Sequence, residues 1–285
     1  MRCVVILFFT IGLLNCGAKK PTPMVEKSPD DSLKKTPTVP LNSLPKDTIV
    51  KIGKTPVWIQ SPEGEIKADI LILPGWNFAK EKINKESDFC KKALANGYRL
   101  ILPEMMKSVY ASEYFKETRE DYTSHLTLTW VTDTMIPTLQ KEYEIFSGKK
   151  NYVHGISTGS RGAALVHLNT GNLFTKVVLL SGDFDQTQMP GDHLMKNTYG
   201  PYSNFKQRWE TVDNPTYLST QWTADLYIAH GTADEVVPVT QSQQFADKIE
   251  KEHPQCKVIK HFPSANHDFT FWGGETDAIL KFFEE

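Results

Sequence analysis

The stretch "NYVHGISTGSRGAALVHLN", Asn151 to Asn169, sets a serine between two glycines, with an apolar strand-like run before it and small, helix-compatible residues behind. Its centre, Gly155-Ile156-Ser157-Thr158-Gly159, has the pattern G-x-S-x-G. Composition alone produces that pattern in about one chain in ten of this length, so its context carries the argument. A strand ending at Gly155 and a helix starting at the serine would hold Ser157 on a tight, exposed turn. The first helical N–H, that of Thr158, would then be unsatisfied in a field that favours an anion. Phosphate-cradling loops do not fit. One pattern needs glycine where Ser160 stands, the other where Ser157 stands.

Working outward, short apolar runs alternate with helical ones. "TIVKIG" and "PVWIQS" read as an opening hairpin, and "DILILP" (69–74) as a strand buried on both faces. A helix follows over Lys85 to Asn96, stopped by Gly97, and "YRLILP" is the next strand. A long amphipathic segment from about Asp121 to Tyr143 is kinked by Pro137. "KVVLLSG", "DLYIAHG" and "KVIKHF" are further strands, with helices over Thr240 to Glu252 and Glu275 to Phe283. Strands alternating with helices predict an α/β fold with a mostly parallel central sheet and helices on both faces. The exception is an aromatic, irregular insertion near 183–223, too long for an ordinary connection and read as a lid.

A serine hydroxyl needs a base to take its proton and a third group to orient that base. On this architecture the acid and then the histidine follow the serine in the chain. "DLYIAHGTADEVVP" places Asp234 in the loop after a buried strand, and "KVIKHFPSANHDF" places His267 in the loop after the last one. Both would reach the C-terminal edge of the sheet, beside Ser157. Asp183 and Asp185 are rival acids, in the segment after the strand that follows the serine helix. Two N–H donors are needed for the carbonyl oxygen, and Thr158 supplies one. The loop "LILPGWN" supplies the other, Trp76 first and Asn77 second. Trp76, Tyr199, Tyr202, Phe205 and Trp209 are candidates to line an acyl or aromatic pocket or to pack in core or lid, while His154 and His230 read as residues that pack or hydrogen-bond structurally. Arg161 reads as a helix-surface arginine paired with an acid.

"HGISTGS", "HGTADEVVP" and "ANHDF" together resemble the nucleophile, acid and histidine motifs of the α/β-hydrolase superfamily, over most of the chain from about Asp47 onward. Within it, "TDTMIPTLQKEYEI" and "LLSGDFD" are similar to segments of secreted serine esterases of the esterase-D and dienelactone-hydrolase kind. The resemblance implies an α/β-hydrolase fold and hydrolysis of a small-molecule ester through an acyl-enzyme, without cofactor or metal. The same machinery serves peptidases of this fold, some of which carry a large accessory domain that this sequence does not suggest. A non-catalytic surface protein is the third reading, and the intact Ser157, Asp234 and His267 weigh against it.

The N-terminus predicts export. Arg2 and an apolar run of about 11 residues, Val4 to Leu14, form a signal-like segment too short to span a bilayer. It ends at "LLNCG", which resembles the lipobox of bacterial lipoproteins, with Asn15 where that pattern has a small residue. Residues 1–16 are therefore expected as signal, with Cys16 lipidated and holding the protein at a membrane of the cell envelope. Residues 17–46, rich in Pro, Lys and Thr, read as a disordered tether, and 47–285 as the catalytic domain. Cys90 and Cys256 read as free, buried thiols, and no metal-type spacing is present. A net charge of −2 gives no basic surface for nucleic acid.

Overall fold

The computed structural model of the chain describes residues 45–123, 127–148 and 150–285. The signal segment, Cys16 and residues 17–44 of the expected tether lie outside the described residues. Eight strands form one sheet: β1 (Asp47–Ile52), β2 (Thr55–Gln60), β3 (Ala68–Leu73), β4 (Tyr98–Pro103), β5 (Asn151–Ile156), β6 (Lys176–Leu180), β7 (Asp225–Ala229) and β8 (Val258–His261). Their order is β1-β2-β4-β3-β5-β6-β7-β8. Only the β1–β2 and β2–β4 pairs are antiparallel; every later pair is parallel. This is the mostly parallel sheet expected from the alternating pattern, in the α/β-hydrolase arrangement that the motif resemblance implies.

The continuous apolar strands are explained by burial on both faces. Val177 and Leu179 of β6 join the core beneath α4 (Thr158–Asn169) and α8 (Thr240–Glu252), whereas Val178 and Leu180 join the opposite core. Side chains alternate across a strand, so one apolar run feeds both cores. Phe89 and Ala93 of α2 (Phe89–Ala95) and Ile279 and Phe283 of α9 (Thr276–Glu284) close the second. Among the described residues no helix is long and apolar enough to cross a membrane.

Three local expectations are corrected. The helix over 85–96 is two pieces, α1 (Lys82–Glu86) and α2, because the Ser87 hydroxyl and amide both donate to the Ile83 carbonyl and Ser87 turns extended. Ahead of α3 (Ile136–Tyr143), residues Trp130–Met135 wind as a π-helix, so Pro137 sits in the first turn of α3 behind a widened turn. The 183–223 insertion is largely helical: α5 (His193–Tyr199), α6 (Lys206–Thr211) and α7 (Pro215–Leu218). Met195, Tyr199 and Trp209 bury a small core there with Val109 and Ala111 of the loop after β4, making a cap. Cys90 and Cys256 are both free, but only Cys90 is fully buried.

Candidate active site

Ser157 occupies the turn between β5 and α4 with φ 56° and ψ −126°, a conformation that costs a non-glycine residue about 1–3 kcal/mol. Close packing imposes it. A Cβ on Gly155 would stand 2.1 Å from the Gly159 carbonyl oxygen, and one on Gly159 equally close to that of Leu73. The two motif glycines let strand, turn and helix collapse onto one another. Ser157 N–H donates to Leu180 O at 2.8 Å, and the Ser160 hydroxyl, fully buried, bridges Gly155 O and the Leu180 backbone. The hydroxyl of Ser157 is thereby aimed at the cleft.

Asp234 lies in the turn after β7. Its Oδ1 accepts from the N–H groups of Val236 (2.8 Å) and Val237 (2.9 Å), which leaves Oδ2 for His267 Nδ1–H at 2.6 Å. His267 Nε2 is 2.9 Å from Ser157 Oγ and accepts its proton-bearing bond. The loops carrying acid and histidine are stitched by Thr232 N–H to Pro263 O and Ala233 N–H to Ala265 O. Trp272 packs edge-on against the His267 ring at 5.0 Å. Ser157, Asp234 and His267, distant in the chain, thus form one hydrogen-bonded series. Asp183 and Asp185 take no part in it: Asp183 pairs with Arg161, and Asp185 caps the turn at Thr187.

A fourth residue joins the series. Fully buried His230 has Nε2 at 3.1 Å from Asp234 Oδ2 and 3.0 Å from Val237 O, both acceptors. The proton therefore sits on Nε2, and Nδ1 accepts from the Ser242 hydroxyl at 2.7 Å. Burial opposes the charge on Asp234, but donors from His230, His267 and Val237 outweigh it and hold the carboxyl well below its ordinary range. From sequence His230 reads as a residue that packs or hydrogen-bonds structurally; its spacing of four residues from Asp234 is the signal for this particular partner.

Thr158 opens α4, with its N–H beside Ser157. Trp76 lines the cleft with it, whereas the Asn77 N–H is taken by Met106 O at 2.9 Å, which removes the second choice of donor. Thr158 is 6% exposed, and its hydroxyl has no partner among the described residues. The cleft holds about 250 Å³, bounded by Phe78, Met189, Leu194 and Val237 among others. Of the five candidate aromatics, Trp76 is the one among its lining residues, and the others take the alternative of cap packing. Tyr199 and Trp209 are spent in the core of the cap, and Tyr202 and Phe205 pack against them.

Arg161 is paired with an acid as expected, Asp183, but not at the helix surface. It is completely buried beneath the cap, with Nη1 on Asp183 Oδ2 (3.1 Å) and Gln186 Oε1 (2.8 Å). Nη2 donates to Tyr199 Oη at 3.3 Å and to the Asp213 carbonyl. A helix-surface reading failed because α4 is covered by sheet on one side and cap on the other. No group of three or more potential metal ligands occurs among the described residues.

The sequence profile of the prolyl oligopeptidase family (Peptidase_S9) matches residues 131–285. No curated protein sequence matches the chain. Similar solved structures include the serine hydrolase FphF of Staphylococcus aureus, at 17% identity and TM-score 0.64, covering 81% of this chain and 92% of that one. The S-formylglutathione hydrolase FrmB of the same organism has 17% identity and TM-score 0.63, over 81% and 93%. An acylaminoacyl peptidase of Pyrococcus horikoshii has 14% identity and TM-score 0.63, over 84% of this chain but 41% of that one.

Proposed function

The chain belongs to the prolyl oligopeptidase family, serine hydrolases built on the α/β-hydrolase fold, and from that premise we propose that it cleaves carboxylic esters with Ser157, His267 and Asp234. The observation that carries the reading is the series from Asp234 Oδ2 through His267 to Ser157 Oγ, at 2.6 and 2.9 Å. Ser157 Oγ bonds to the carbonyl carbon as its proton passes to His267 Nε2, and the carbonyl electron pair moves onto oxygen. The N–H groups of Thr158 and Trp76 receive that charge. Collapse breaks the bond to the alcohol oxygen, which takes the proton from His267. Water, deprotonated by His267, then releases the acid and restores Ser157. Asp234 holds the ring tautomer and offsets the imidazolium charge. A cleft of about 250 Å³ suits a short acyl group.

The test is turnover of p-nitrophenyl acetate and butyrate, with labelling by an alkyl fluorophosphonate. Ser157→Ala is expected to lose labelling and about 10³-fold or more of kcat; retained activity overturns the proposal. Family membership favours peptide bonds as the second reading, so N-acylated peptides belong in the same panel. Their faster turnover would replace the ester assignment. We also propose export and lipid anchoring through Cys16, on the apolar run, cysteine and proline-rich segment that follow one another. Mass spectrometry of the N-terminal peptide detects or excludes the acylated cysteine.

A further inference from the structure

We propose that Arg161 is a positioning residue that clamps the cap beside Ser157 and thereby limits the length of acyl group the cleft accepts. The consequence for substrates rests on the hydrolase reading; the clamp itself does not. Arg161 stands one turn into α4, four residues beyond Ser157. Its side chain is fully buried and reaches from that helix into the insertion. Nη1 donates to Asp183 Oδ2 and Gln186 Oε1, and Nη2 donates to Tyr199 Oη and to the carbonyl of Asp213. Between two of these partners, Gln186 and Tyr199, runs the segment that supplies Met189, Asp192, Leu194 and Met195 to the cleft. One guanidinium on the helix that follows Ser157 therefore holds both ends of one wall of the cleft.

Met195, Tyr199 and Trp209 pack with Val109 and Ala111 in a cluster separate from the two cores that flank the sheet. The α5 part of the cap is therefore seated on α4 through polar contacts. These contacts are themselves cross-linked. The Tyr199 hydroxyl donates on to Asp213 Oδ2 at 3.1 Å, which also accepts from Ser112 N–H at 2.8 Å, and Gln186 Nε2 donates to Val212 O at 2.9 Å. Asp213 has φ 49°, in the left-handed region that a non-glycine residue holds only under constraint, and its carbonyl is the one on Arg161. A planar guanidinium serves such divergent acceptors at once, two on each Nη, and an ammonium group does not reproduce that fork. Burial opposes the charge, but Tyr199, Asp183 and Asp213 keep the guanidinium protonated.

The test uses the full chain, with Arg161→Lys and Tyr199→Phe as clamp variants. Tyr199→Phe keeps the ring in the core of the cap and removes only its hydroxyl. Arg99→Lys is the control for a weakened buried arginine–carboxylate pair, since Arg99 meets Asp69 at 2.6 and 2.8 Å at the starts of β4 and β3, the sheet edge opposite the cleft. In the first arm, amide hydrogen exchange over residues 186–199 should quicken about tenfold or more in Arg161→Lys, less in Tyr199→Phe, and not in Arg99→Lys. In the second, kcat/KM is measured for p-nitrophenyl acetate, butyrate and hexanoate. The hexanoate-to-acetate ratio should rise about tenfold in Arg161→Lys through a lower KM for the longer ester, while acetate changes less than about threefold. Tyr199→Phe should move the ratio the same way by a smaller factor, and Arg99→Lys should leave it where it is. Unchanged exchange over 186–199 in both clamp variants overturns the proposal, and so does an unchanged or falling ratio in variants that turn over ester. If Arg161→Lys does not fold, Tyr199→Phe decides on the same two criteria. A parent chain that hydrolyses no ester refutes the proposed function, and exchange alone then decides the clamp.

Discussion

Replacing Asp234 by Asn tests the orienting role of the acid with almost no change of volume. The geometry dictates how the amide must sit. Oδ1 of Asp234 faces two backbone donors, Val236 N–H and Val237 N–H, at 2.8 and 2.9 Å. Backbone donors cannot rearrange, so the asparagine oxygen stays there and its NH₂ group points at His267 Nδ1 and at His230 Nε2, whose proton must then move to Nδ1. A donor there forces the ring to place its own proton on Nε2, facing Ser157, which removes the base. The imidazolium formed during attack would also lose the negative charge 2.6 Å from Nδ1. In another triad this exchange costs about 10⁴ in kcat, which corresponds to ~5.5 kcal/mol of barrier. The same order is expected here, with p-nitrophenyl acetate as substrate and the pre-steady-state burst separating acylation from release. Fluorophosphonate labelling should slow in parallel, and activity should recover partly at high pH as hydroxide replaces the lost base. A fall of less than about tenfold in a variant that melts like the parent would refute the orientation argument.

Two further outcomes follow from the same contacts. His230→Leu removes one of the donors to Asp234 Oδ2 and should lower kcat about tenfold with little change in KM, consistent with one charge-assisted hydrogen bond. His230→Gln, which keeps a donor, should recover part of the loss in the same assay. Burial holds His154 neutral, pushed down to about 3, and His167 likewise, to about 4. Both lie below the unfolded value of 6.5, so between the two values the unfolded chain binds more protons and stability is lost as the pH is lowered. Each should cost about 2–3 kcal/mol between pH 6.5 and 4.5, read from urea midpoints across that range. A His154→Leu variant should show a shallower dependence; an unchanged slope would contradict the assignment.

Period and punctuation made much of the fold legible. β3, β5, β6 and β7 are short apolar runs ended by Gly, Pro or Ser, and helix α8 runs over the residues its pattern predicted. What failed was local competition. Ser87 ends α1 where its backbone turns extended and its hydroxyl shares the Ile83 carbonyl with its own amide, which apolar spacing does not reveal. The insertion near 183–223 reads as a lid from sequence, but the helices within it are not legible there, because they are short and rely on packing against one another, with little amphipathic signal of their own.

Ser157, Asp234 and His267 could be singled out from residue type, chain order and the strand ends that carry them, because a parallel sheet delivers every such loop to one edge. Whether Asp234 or Asp183 meets the histidine is a question of distance across that edge, and sequence order allowed both. The folded chain places Asp234 2.6 Å from His267 and turns Asp183 toward Arg161. Burial likewise decided the fate of Arg161 and His230. The environment of Arg161 is made by the cap, whose residues lie far along the chain, and no local pattern encodes that, whereas the partners of His230 all lie within 12 residues of it.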